Sequence, residues 1–404
     1  MKRIWHACGV VVAVLALAIP VFVISHSGDL PRVDDAGLRL AAPPLDPGQN
    51  GADALVRASR LLVWPPGEEA FARLRELRLM RSWDPAAARE LVDRNAPALA
   101  ALDEALRADR LDLESGLLAE IEVEGELPHF TRWHLLARVL ALRAALFASE
   151  GDGDAAFADA LAVLRLAERI HAGRGAALMH ASLALTLRRI GIEQVAAILP
   201  AVSPDRATAR RWIAALDDTR PDAGSWHRIW AAEYRTMRRL YEWALDDGLL
   251  QGWWVPRSYL LQRNRSVQRM LELFLTLQSN STLACAEMKP WRDPRSRGPL
   301  ERAALVLGPN SVGNVLFEIS APNFGGLQRR RCALDSSHAA LELLIGLRAH
   351  LAQHGVLPAS LDELVPGIFE ALPVDGVHGQ HFRYEREARA LYAPGTPVEL
   401  ALGF

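Results

Sequence analysis

The residues of this chain that could do chemistry are few, and the histidines near the C-terminus come first. His350 and His354 stand four apart, on one face of a helix, a spacing that can hold a metal ion. His378 and His381 lie close enough in sequence to complete such a site, and the trio His350, His354 and His378 is the metal set expected from spacing. The zinc-protease pattern needs glutamate after the first histidine, and Leu351 stands there. Histidines at a helix end before a glycine stop also serve the helix C-terminus, which is the alternative. Glu120, Glu122, Glu124 and Glu126 alternate along the chain and in extended form share one face, either as a cation site or as a solvated strand. Asp246-Asp247 and Glu68-Glu69 are adjacent pairs, which diverge on a helix and suit its ends better than two-carboxylate catalysis. There is no Gly-x-Ser-x-Gly elbow, phosphate-binding loop or dinucleotide fingerprint. No cofactor is implied, and the reading leans away from an enzyme.

Aromatic side chains gather between Trp226 and Trp254. Trp226, Trp230 and Tyr234 recur at four-residue spacing, either as a peptide or glycan groove or as packing of a helical core. Trp253 and Trp254 also suit a membrane interface. Of the three cysteines, Cys8 lies in an apolar run; Cys285 and Cys332 are the candidates for a disulfide in an oxidising compartment, or else two separate buried thiols.

These residues need elements to position them. In 404 residues half are hydrophobic and 23% are charged, the balance of an ordered globular chain, with a formal charge of −2 that exerts no general pull on nucleic acid. Nearly all cations are arginines, as in a GC-rich coding bias. From Ile4 to Ser25 the chain is apolar apart from His6, long enough as a helix to span about 33 Å. Lys2 and Arg3 precede it and Asp29, Asp34 and Asp35 follow. This pattern predicts a single-pass anchor in the bacterial cytoplasmic (inner) membrane, with the N-terminus inside and the bulk periplasmic. Ser25-His26-Ser27 also offers a signal cleavage site.

After this anchor (1–27) comes a proline- and glycine-rich linker (28–48). A helical domain (49–290) follows, then a connector (291–333) and a small module (334–404). The fold class expected is mainly α, with a transmembrane helix, a body of helical hairpins and a small α+β end. The body is clearest where Leu135, Leu136, Val139, Leu142 and Leu146 recur at helical spacing. Gly151 and Gly153, then Gly173 and Gly175, break that run into three helices. The resulting hairpins are similar to tetratricopeptide hairpins, with longer helices and no second copy at a fixed period. Further helices are expected over Gly51–Leu62, Gly67–Arg81, Pro85–Ala108, Pro204–Asp217, Ser225–Asp247 and Ser258–Met288.

In the last module Leu334 to Gln353 reads as one amphipathic helix. Gly355, Pro358, Ser360, Leu361 and Leu364 then form a G-x-x-P-x-S-L-x-x-L segment, followed by Pro373-Val374-Asp375-Gly376 and a Gly379–Tyr384 strand. This stretch resembles the globular domain of the major pseudopilins of type II secretion, with Gly376 where that family has proline. The whole chain also resembles a class of membrane-anchored helical proteins of planctomycetes and myxobacteria, to which no activity is assigned. Pro309-Asn310-Ser311-Val312-Gly313 is similar to an N-P-x-G element of that class. The resemblance bears on architecture only; the expected anchor, the helical hairpins and the missing catalytic constellation point to a non-catalytic scaffold or interaction protein with an envelope protein partner, attached to the cytoplasmic membrane through residues 4–25. A metal-dependent envelope hydrolase using the C-terminal histidines, and a component of a secretion or pilus-like assembly, are the alternatives.

Overall fold

The computed structural model describes residues 20–39, 45–46, 50–64, 68–108, 110–113, 128–246, 257–289, 298–394 and 399–401. The chain forms two compact units. The larger holds residues 41–229, 280–288 and 329–404; the smaller holds 1–40, 230–279 and 289–328.

In the larger unit the helices are α1 (Ala52–Leu61), α2 (Glu68–Arg78), α3 (Pro85–Arg94), α4 (Ala96–Arg107), α5 (Pro128–Ser149), α6 (Gly153–Ala172), α7 (Leu178–Ile198) and α8 (Arg206–Asp217). Sequence periodicity predicts a single helix over Pro85–Ala108. The chain instead breaks at Asn95, whose buried amide accepts from the backbone N–H of Val63 (2.8 Å) and donates to the carbonyls of Val63 and Leu91 (3.1 and 3.0 Å). Asp84 and Asp152 cap α3 and α6 by accepting from the N–H groups of Ala87 and Ala155. Ser203-Pro204 looks like a helix start, but the cap of α8 is Asp205, which accepts from Thr208 N–H at 2.7 Å. The Ser203 hydroxyl instead accepts from Arg348.

Helix α5 is buried around most of its circumference, as a central helix must be. Against it pack α6 and α7. These two approach closely at Gly191, where an added Cβ would fall 2.6 Å from the Leu164 side chain. Glycine is required there for packing, not for backbone freedom. The Gly151 break has the left-handed backbone (φ +85°) that glycine adopts without strain.

In the smaller unit, α9 (Ala223–Asp246, from Trp230 onward), α10 (Arg263–Ser281), α11 (Pro299–Leu307) and α12 (Ser311–His354, up to Gln328) surround an aromatic core. Trp230, Phe274 and Phe324 meet with ring centroids 5.2–6.4 Å apart. Asn310, buried and at φ +62°, binds two segments: its side-chain oxygen accepts from Gln262 N–H (2.8 Å) and the Ser266 hydroxyl (2.9 Å). Part of the stretch read as a linker is packed here too. Asp29 accepts from the N–H groups of Asn264 and Arg265 at the start of α10, and buried Asp35 takes the Tyr234 hydroxyl and the Arg238 guanidinium.

Two expectations are corrected. No helix among the described residues is long and apolar enough to cross a membrane, which overturns the transmembrane part of the expected fold class and the single-pass inner-membrane placement drawn from it. Of the expected anchor, residues 4–19 lie outside the described residues. Residues 20–25 form a helical stretch of about 9 Å, against a hydrocarbon core of about 30 Å. The carbonyl of His26 just after it accepts from Gln262. The mainly α part of the expected class stands: the strands among the described residues, β1 (Arg383–Glu385), β2 (Ala390–Tyr392) and β3 (Glu399–Ala401), are three residues each, paired antiparallel in the order β1-β2-β3. The second correction concerns where the long C-terminal helix begins. The helix expected from Leu334 begins at Ser311, running through residues that their glycine and proline content marked as a connector.

Candidate functional site

The structure does not bring the expected metal trio together. His350 and His354 are neighbours, with ring centroids 4.4 Å apart, and His350 Nδ1 lies 3.1 Å from the Val356 carbonyl. His378 belongs elsewhere. Its Nδ1 lies 2.8 Å from Asp375, and Asp375 is bound by the Ser336 hydroxyl. Ser336 and His350 sit about 21 Å apart along α12, at about 1.5 Å per residue, so one ion cannot reach all three histidines. Those bonds from Ser336 and His378 hold the Asp375 carboxyl below its usual pKa against the opposing effect of burial. Glu120, Glu122, Glu124, Glu126, Trp253 and Trp254 lie outside the described residues. Trp226, Trp230 and Tyr234 are buried in the cores of their units.

A different set of polar residues converges in the larger unit, and sequence reading missed it. Asp335, His338 and Glu342 share the inner face of α12. Arg188 of α7, with its side chain 3% exposed, donates to Asp335 at 2.7 Å and lies 3.4 Å from His338 Nδ1. Arg220, just after α8, donates to both Asp217 (2.6 Å) and Glu342 (2.5 Å). Among the described residues, Asp217, His338 and Glu342 are the one group whose ligand atoms lie close enough to share a metal. The Arg220 fork already bridges the two carboxylates, so it supplies the positive charge that a metal would bring. His338 is fully buried and is driven down to about pKa 2 by burial and by Arg220 and Arg188, which keeps it neutral. Its Nε2 lies 3.5 Å from Glu342 without making a hydrogen bond. The signal that could have found this group is the 335/338/342 helical spacing; its partners lie 122 to 150 residues away.

Beside this network lies a groove. Arg188 meets Asp335, and Arg348 donates to the carbonyls of Val202 (2.7 Å) and Pro200 (3.2 Å), so α7 and α12 run parallel along their shared length. Between them is a cavity of about 680 Å³, walled by Leu185 and Ile192 of α7 and by Leu334, Leu341 and Leu344 of α12. That volume falls in the range of small-molecule sites. Arg189, Glu193 and Arg330 form its polar rim. The arginine run 329–331, which reads as a connector in sequence, is helical. Arg331 turns inward, 5.4 Å from the Trp226 ring, while Arg329 and Arg330 are exposed.

Cys285 and Cys332 form a disulfide, with Cα atoms 5.8 Å apart, fastening residues 280–288 to α12. Its two ends are 47 residues apart in sequence. Restricting the unfolded chain by such a loop predicts that Cys285→Ser with Cys332→Ser lowers stability by about 4 kcal/mol. Thermal melts of the wild type with and without reductant, compared with the double variant, check this. A reductant-insensitive melting temperature contradicts it. Comparison with protein-family models, curated proteins and solved structures finds no match for this chain.

Proposed function

We propose that this chain is a non-catalytic binding protein, a helical scaffold that offers the α7–α12 groove to a ligand. The observation that carries this reading is the groove itself, a formed apolar cavity of about 680 Å³ with a polar rim. Its character fits recognition better than chemistry. The convergent polar groups on the inner face of α12 are engaged with one another, and so are poorly placed to meet a substrate.

The test is a photoreactive benzoylphenylalanine in place of Arg330, exposed on the groove rim, with Arg165 on the exposed face of α6 as the control position. Irradiation in cell extract is expected to trap one molecular species at 330 and none at 165. Equal labelling at both positions overturns the reading.

A further inference from the structure

We infer that the groove takes a single-chain fatty acid, its hydrocarbon between α7 and α12 and its carboxylate against Arg330 and Arg189. This deepens the proposed binding function and rests on it. Two independent features select this occupant.

The first is width. The leucines and isoleucine that wall the cavity are themselves buried, Leu185 at 3%, Ile192 at 8%, Leu334 at 8%, Leu341 at 1% and Leu344 at 7% exposure. A partner helix is about 10 Å across and needs apolar anchors presented on an open face. Here the apolar surface lies at the bottom of a slot. Small side chains at Ala196, Ala333 and Ala340 leave that slot open between helices that otherwise touch. A polymethylene chain is narrow enough to enter it, and burying each methylene contributes about 0.8 kcal/mol of transfer free energy.

The second is charge. Among the described residues Glu193 is the one carboxylate on the rim, and buried Arg78 already donates to it at 2.6 Å. Arg189 reaches the same carboxylate only at 3.8 Å and is 64% exposed. Arg330 is exposed and makes no ion pair among the described residues. The two guanidiniums on the lining, Arg189 and Arg330, thus outnumber the one carboxylate there, which buried Arg78 already engages. Arg138 adds a further positive charge near Glu193. Burial, with the fields of Arg138, Arg189 and Arg78, pushes His134 down to about pKa 4 and keeps it uncharged. Such a rim favours an anion over a neutral or cationic head group, and a guanidinium fork suits a carboxylate.

The test uses the full chain and cis-parinaric acid, a naturally fluorescent fatty acid. The wild type is expected to bind it saturably at one equivalent, and hexadecanoate to displace it. Ser337→Trp and Ala333→Trp, both placed on the wall where the native residue is not fully buried, are expected to abolish binding while leaving the helical circular dichroism unchanged. Arg189→Ala with Arg330→Ala is expected to weaken hexadecanoate by about tenfold or more and leave hexadecan-1-ol unchanged. Binding that persists in both tryptophan variants overturns the inference, as does the absence of saturable binding. Equal, tryptophan-sensitive binding of phosphatidylglycerol vesicles also overturns the single-chain assignment. Should hexadecanoate fail while the photoprobe at 330 still crosslinks a peptide, the fatty acid is wrong and the groove reading stands. Should both fail, both are wrong.

Discussion

Lowering the pH from 7 to 5 is expected to destabilise the larger unit by about 5 kcal/mol. Four histidines carry the effect. Burial is the leading cause for each: His338 is driven to about pKa 2, His171 to about 3, and His134 and His180 to about 4. All four are neutral in the folded protein at neutral pH. In the unfolded chain each titrates near 6.5. Below that value the unfolded state binds protons that the folded state refuses, so stability is complete above about pH 6.5 and falls as the pH drops toward the folded values. His134, the least buried, contributes least. Glu342 and Asp159 act in the opposite direction, since burial raises both carboxyls and lets the folded state take up protons first, which softens the fall at lower pH. Urea unfolding at pH 7, 6 and 5 measures the slope. A flat profile contradicts it, and His338→Gln is expected to reduce the slope by close to one proton.

Replacing Arg188 with leucine is expected to cost about 3 kcal/mol, because it removes one partner from a buried ionic network and strands the other. Among the described residues Asp335 would then keep only Arg331, at 3.7 Å. The matching control is Arg188→Leu with Asp335→Leu, which removes both charges and is expected to recover a large part of the loss. Denaturant midpoints of the two variants decide the matter. A single variant as stable as the wild type, or a double variant no better than the single, contradicts the account. Arg220→Leu tests the same logic at Glu342 and Asp217.

What could be read from sequence divides along the length scale of the interactions. The α5–α7 region was legible because its signals are local: apolar residues at helical spacing, and glycines at 151, 153, 173 and 175 that coincide with the helix ends. The start of α12 was not, because glycine and proline density in 308–326 suggests a loop, while tertiary packing at Phe317 and Phe324 holds it helical. The break at Asn95 depends on Val63, 32 residues away. The expected metal trio failed for a related reason. Sequence proximity placed His378 near His350, whereas Asp375 holds it beside Ser336, far along the same helix. The ionic network and the groove were invisible altogether. Arginine, aspartate and glutamate on a helix read as a solvated face until a second helix from a remote part of the chain covers them.

The parallel pairing of α7 with α12 sets an order of events at the ribosome. Helix α7 is complete once residue 198 has emerged, but the face that covers it ends at residue 354. At about 5–20 residues per second, synthesis of that interval takes on the order of 10 to 30 seconds. Throughout it Leu185 and Ile192 stay bare on an otherwise folded hairpin, a sticky flank that a nascent chain must keep from its neighbours. Arg188 and Arg189, on the same stretch of α7, give that flank positive charge during the wait.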